Sequence, residues 1–169
     1  MSFVRTARTL GLLATIAVAP TFARADETKI PMSEVPKAVL DTVKAKFPKT
    51  EIKQAIKEVE DGKTSYEIET KEGGRAIDVV LKPDGTILAI EKEIAVGDLP
   101  KAVAAAIEAK YPKATIGKAE MLLEYEDGKE ETEYEVVLTT VAKKEVEVKL
   151  TPAGKIVDNE EKDKNEKKN

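Results

Sequence analysis

Residues 35–52, "VPKAVLDTVKAKFPKTEI", and residues 99–116, "LPKAVAAAIEAKYPKATI", share nine of eighteen aligned positions. Within them Val35, Val39, Val43 and Phe47 recur every fourth residue, as do Leu99, Val103, Ile107 and Tyr111. That spacing puts each set on one face of a helix. Pro36 and Pro100 suit a first helical turn, where a missing N–H leaves no bond unmade, and Ser33 and Asp98 are candidate caps. Pro48 and Pro112 end the helices, because a residue before proline is driven toward extended backbone.

After each helix the apolar period shortens to two. In the first copy Tyr66, Ile68 and Thr70 alternate with Ser65, Glu67 and Glu69 beyond a turn at Asp61-Gly62. Gly73-Gly74 and Pro83-Asp84-Gly85 mark the next two turns, with Ile77, Val79 and Leu81 on one face between them. The second copy follows suit: a turn at Asp127-Gly128, then Tyr134, Val136 and Leu138, then Val146, Val148 and Leu150, and a last turn at Thr151-Pro152-Ala153-Gly154. The spacing predicts an α+β fold, a tandem repeat of a helix followed by a four-stranded antiparallel sheet, packed in two layers.

The boundaries follow from composition. Residues 1–25 carry Arg5 and Arg8 before an apolar run, Leu10 to Ala19, and end in Ala23-Arg24-Ala25. This reads as a signal peptide cleaved after Ala25, with a run too short to span a bilayer. Repeat 1 then covers 26–94, repeat 2 covers 95–158, and the charged stretch 159–169, which has no apolar residue, is expected to be disordered. The expected location is periplasmic or secreted, without membrane insertion after cleavage.

Cysteine is absent throughout, which excludes disulfides and thiolate metal sites. After residue 25 the chain has 25 basic against 32 acidic residues, about −7, a balance that argues against nucleic-acid or anionic-membrane partners. Histidine is absent as well, and the only serines after residue 25 are Ser33 and Ser65. Triads and histidine–metal centres are therefore excluded, and the chain is read as noncatalytic, with no cofactor.

The remaining chemistry is acidic. Glu124, Glu126, Asp127, Glu130, Glu131, Glu133 and Glu135 crowd one hairpin, which could attract a basic partner or bind Ca²⁺ weakly, although it lacks the ligand spacing of a dedicated calcium loop. The i, i+2 pairs Glu67/Glu69 and Glu133/Glu135 are what a solvated sheet face produces. Tyr125 is the aromatic outside the repeated core positions, and Arg75 is the sole arginine after residue 25. Candidate partner-binding residues are thus Tyr125, Glu124, Glu126, Glu133, Glu135 and Arg75.

Taken in order, Val35-Pro36, Phe47-Pro48, Tyr66-Glu67-Ile68 and Pro83-Asp84-Gly85, then Leu99-Pro100, Tyr111-Pro112, Tyr134-Glu135-Val136 and Pro152-Ala153-Gly154, resemble the PepSY-like, beta-lactamase-inhibitor-like domains of exported bacterial proteins. The resemblance implies a binding module that engages an envelope protein or peptidase, as inhibitor or regulator. The competing reading is an acidic, cation-responsive or structural envelope protein acting through diffuse electrostatics.

Overall fold

The computed structural model describes residues 26–60, 62–126 and 128–162. The proposed signal peptide, Asp61 and Asp127 of the two expected turns, and the last seven residues of the charged tail lie outside them.

Each quoted stretch forms a ten-residue helix, α1 (Lys37–Lys46) and α2 (Lys101–Lys110). The four-residue stripe is the buried one: Val35, Val39 and Val43 are 6%, 0% and 1% exposed, and Leu99, Val103 and Ile107 are 8%, 0% and 3% exposed. Phe47 and Tyr111 close the helices just before Pro48 and Pro112, donating their backbone N–H to Val43 O and Ile107 O. The starts differ from expectation. Pro36 and Pro100 sit at the cap position itself, without a side-chain cap, while Ser33 and Asp98 lie in short 3₁₀ turns, Met32–Glu34 and Val96–Asp98. A proline preceded by a 3₁₀ turn sets the entry angle, so a hydroxyl or carboxylate cap is dispensable.

Nine strands follow: β1 (Asp26–Ile30), β2 (Glu51–Glu60), β3 (Lys63–Glu72), β4 (Arg75–Leu81), β5 (Ile87–Glu93), β6 (Thr115–Glu126), β7 (Lys129–Thr139), β8 (Glu145–Leu150) and β9 (Ile156–Lys162). They lie in chain order in one nine-stranded sheet. This corrects the expected tandem of four-stranded sheets, each behind its own helix. Apolar alternation tells which face of a strand is buried; it carries no signal for which edge pairs, since the edge groups are backbone N–H and C=O that every residue but proline has. β1 was not foreseen, because "DETKI" shows little apolar alternation; its register, such as Thr28 opposite Lys57, comes from pairing with β2. The charged tail is likewise ordered further than expected, since β9 continues through Asn159 to Lys162.

The chain divides into two compact units. One extends to Ile90 and takes in Tyr125–Lys129; the other comprises Glu91–Glu124 and the residues from Glu130 onward. In the first, Val39 and Val43 are buried together with Ala55, Ile68, Ile77, Val79 and Leu81. In the second, Val103 and Ile107 of α2 pack on Ala119, Val136, Leu138, Val146, Val148 and Leu150, with Tyr111 and Tyr134 partly buried against them. The polar member of the first core is Thr70, whose Oγ1 donates to Ile77 O at 2.8 Å.

One device is repeated. Gly85 and Gly154, in the turns after β4 and β8, have φ of +86° and +80°. A Cβ at Gly85 would lie 2.8 Å from Ala38 O of α1, and one at Gly154 would press still harder on Ala102 O of α2. Each turn therefore seats directly on the first turn of its helix, a contact only glycine permits.

Candidate functional site

Strand alternation fixes what the opposite face of the second unit presents. With Tyr134, Val136 and Leu138 turned toward α2, Glu133, Glu135 and Val137 turn away; with Val146 and Val148 toward α2, Glu145, Glu147 and Lys149 turn away. The expectation of a solvated acidic face fails at its centre. Glu135 is only 7% exposed and Glu120, on β6, only 5%. What the neighbouring strands place beside a carboxyl is something i, i+2 spacing within one strand cannot reveal.

Lys118 and Lys149 bring positive charge to this face. Lys118 Nζ lies 2.6 Å from Glu120 Oε1. Burial pulls the Lys118 ammonium down most, but the hydrogen bond and charge of Glu120, helped by Glu135 and Glu91, outweigh it and the group ends above its ordinary value. Lys149 stands opposite Glu135 in the β7–β8 register and opposite Asp158 in the β8–β9 register. Glu147 lies opposite Val137 on one side and Glu160 on the other. The Glu135 carboxyl is pushed up to about 8, first by burial, then by the charge of Glu147 and a hydrogen bond with it, then by Glu120, with Lys149 opposing.

The first unit has a milder version. Glu58 is raised chiefly by burial, with Glu27 and Glu60 adding to the rise and a hydrogen bond from Ser65 Oγ, 3.3 Å from its Oε2, acting against it. Glu27 lies directly opposite Glu58 between β1 and β2. Glu69 accepts a 2.8 Å hydrogen bond from Gln54 Nε2. Ser65 is thus engaged with a neighbouring carboxylate.

The candidate binding residues do not form one constellation. Glu135 is in the buried cluster, and Glu133 and Glu124 are half-buried in β7 and β6. Tyr125 belongs to the first unit, where Lys46 Nζ stands 5.8 Å from its ring centroid, so the aromatic expected to stand apart has a cation over it. Arg75 is exposed at the start of β4, opposite Glu72. Glu126 is placed at the end of β6. Reading from residue types missed Glu120, Glu147, Lys118 and Lys149; the available signal was the parity they share with Glu135 on neighbouring strands. Among the described residues, no group of three His, Cys, Asp or Glu side chains is arranged to hold a metal ion.

Two ten-residue helices lie against one face of an antiparallel sheet whose opposite face, in the second unit, is rich in carboxylates. The chain belongs to the family described as "Putative beta-lactamase-inhibitor-like, PepSY-like", which matches residues 23–89 and 88–158. Its fold is similar to that of a BLIP-like protein from Bacteroides fragilis, at 20% identity and TM-score 0.58, covering 79% of this chain and 92% of that one. It is also similar to a DUF2874 family protein from Bacteroides uniformis, at 15% identity and TM-score 0.60, covering 75% and 88%. A third similar structure, at 15% identity and TM-score 0.62 with the same coverage, is a "putative periplasmic" protein from Bacteroides eggerthii. No curated protein matches the chain.

Proposed function

We propose that this chain is an exported, noncatalytic protein-binding module of the cell envelope that restrains or regulates a peptidase or another envelope protein. The observation that carries the reading is the family match over both repeats. Residue chemistry supports it, because no histidine or cysteine is present and both serines after residue 25 lie in plain structural settings. The periplasmic description of a structural neighbour and the charge order of residues 1–25 support export.

The interface on this reading uses backbone more than aromatic anchors. β1 and β9 are the two ends of the strand order, and terminal strands offer N–H and C=O groups to an added strand. Arg75 as the sole arginine after residue 25, and Tyr125 with Lys46 over its ring, leave little for a tight aromatic-anchored contact. High-affinity inhibition of a β-lactamase is for that reason outside the proposal.

The test is cross-linking capture from the native envelope extract with the chain starting at Asp26, at low and at moderate salt, followed by a peptidase assay of whatever is retained. One protein held at moderate salt and slowed in its activity is the expected result. Capture of only a mixture that disperses at moderate salt would overturn it in favour of the diffuse, cation-responsive reading.

A further inference from the structure

We propose that a second copy of this chain adds to the free edge of β1, the two β1 strands running antiparallel about a two-fold axis at Thr28, so that the chain is a weak, reversible homodimer.

β1 has a strand on one side only, β2, and its Glu27, Thr28 and Lys29 are exposed. The internal repeat shows the same position with its second edge filled. Ile30 lies five residues before Val35 and pairs with Ala55, while Ile94 lies five residues before Leu99 and donates its N–H to Ala119 O at 2.9 Å. β5, which leads into Ile94, lies between β4 and β6. β1 is thus the counterpart of a strand that is paired on both edges, and its outer N–H and C=O groups stand where β5 meets β4.

The side chains of β1 select the strand that fits there. Ile30 pairs with the fully buried Ala55, so Thr28 shares the α1 face while Glu27 and Lys29 share the opposite one. In an antiparallel pairing centred on Thr28, Glu27 stands opposite the second copy's Lys29, and Lys29 opposite the second copy's Glu27. The two Thr28 side chains meet on the other face. Opposite charges and paired threonines are both favourable cross-strand neighbours. Moving the centre by one residue sets Glu27 or Lys29 against its own copy. Within one chain Glu27 stands opposite Glu58, a like-charge pair, and the second copy's Lys29 brings a cation to it from the free edge.

β9, the other end of the strand order, is unsuited to this. Antiparallel pairing of β9 with its own copy, centred on any residue from Asp158 to Glu161, sets two carboxylates against each other. Glu161 is moreover held by Lys144 at 2.6 Å. The β1 ladder is short, five residues a side, which places the dimer well below a permanent interface in size. β9 is left for a different protein, so the inference goes beyond the function proposed above and does not depend on it.

The experiment is sedimentation of the purified chain starting at Asp26, with no other protein present, at low salt and up to about 1 mM. Wild type is compared with E27K, K29E and the double charge swap E27K/K29E. Wild type is expected to pass from monomer to dimer as concentration rises. E27K and K29E should each weaken the dimer by about tenfold or more, because two attractive pairs become two repulsive ones. The double swap restores complementarity and should dimerise again, as should an equimolar mixture of E27K and K29E. A wild type that stays monomeric, a K29E chain that dimerises as well as wild type, or a double swap that stays monomeric would each overturn the proposal. So would species that grow beyond the dimer, as head-to-tail pairing of β1 with β9 would give. Should a single variant fail to fold, amide exchange at Glu27–Lys29 of the wild type decides: slowing with concentration supports the dimer, and no change overturns it. Capture of an envelope protein is measured separately, so either reading can fail without the other.

Discussion

Glu135 on β7 stands opposite Lys149 on β8, while Glu147, two residues before Lys149 on that strand, pushes the Glu135 carboxyl up after burial has done so. A buried carboxyl thus has a cation directly in register and a second carboxylate diagonal to it on the next strand. The ammonium in register opposes the rise that burial and the second carboxylate impose on Glu135, and burial outweighs it.

The neighbouring ion pair makes a prediction about charge removal. Glu120 is enclosed, with its side chain 7% exposed, whereas Lys118 is 47% exposed. K118M should cost about 1–2 kcal/mol, below the range for a fully buried pair because water reaches the lysine. K118M/E120Q should recover much of that loss. Urea midpoints of the three chains at pH 7 measure both effects.

The core of the second unit should respond to truncation. Leu150 is fully buried in the cluster under α2. L150A should lower stability by about 2–5 kcal/mol, through lost transfer energy and the cavity left behind. V141A is the control, since Val141 is 68% exposed and should change the midpoint by less than about 0.5 kcal/mol.

The glycine seats predict an unusual sensitivity in two turns. G85A and G154A each combine a positive φ with a Cβ driven against a helix carbonyl. Each should destabilise by more than about 1 kcal/mol, whereas a strain-free Gly→Ala change would stabilise. Thermal melts of the two variants against wild type decide the sign.

Thr70 tests the polar member of the first core. Its hydroxyl donates to Ile77 O at 2.8 Å while the residue is 1% exposed. T70V keeps the shape and removes the donor, and should cost about 1 kcal/mol by chemical denaturation.

At the acid end Asp84 should leave a signature of its own. The Thr86 backbone N–H, 2.9 Å from its Oδ1, holds the carboxyl below its ordinary value. A depressed carboxyl contributes stability above its unfolded value and loses it as pH falls through the folded one. D84N should therefore flatten the acid limb of the stability profile below about pH 4, read by unfolding between pH 2 and 5.

The particular residues show how far sequence reading reaches. Four-residue spacing located Val39, Val43, Val103 and Ile107, and every one is buried, because helical periodicity is a local property that a few side chains declare. Strand alternation likewise marked Ile77, Val79, Val146 and Val148, and the Pro-x-Gly turns fell at Gly85 and Gly154. The repeat was legible in eighteen residues written twice, and the family in those stretches together with the Tyr-Glu and Pro-x-Gly elements that follow each of them. What the sequence could not declare depends on backbone pairing and on neighbours remote along the chain. One sheet of nine strands, an opening strand of "DETKI" and a last strand that continues into the charged tail all rest on hydrogen bonds between backbone groups that every residue but proline carries. Burial of Glu135 among Glu120, Glu147 and Lys149 is decided the same way: its own strand predicts a solvated carboxylate, and only the strands on either side enclose it.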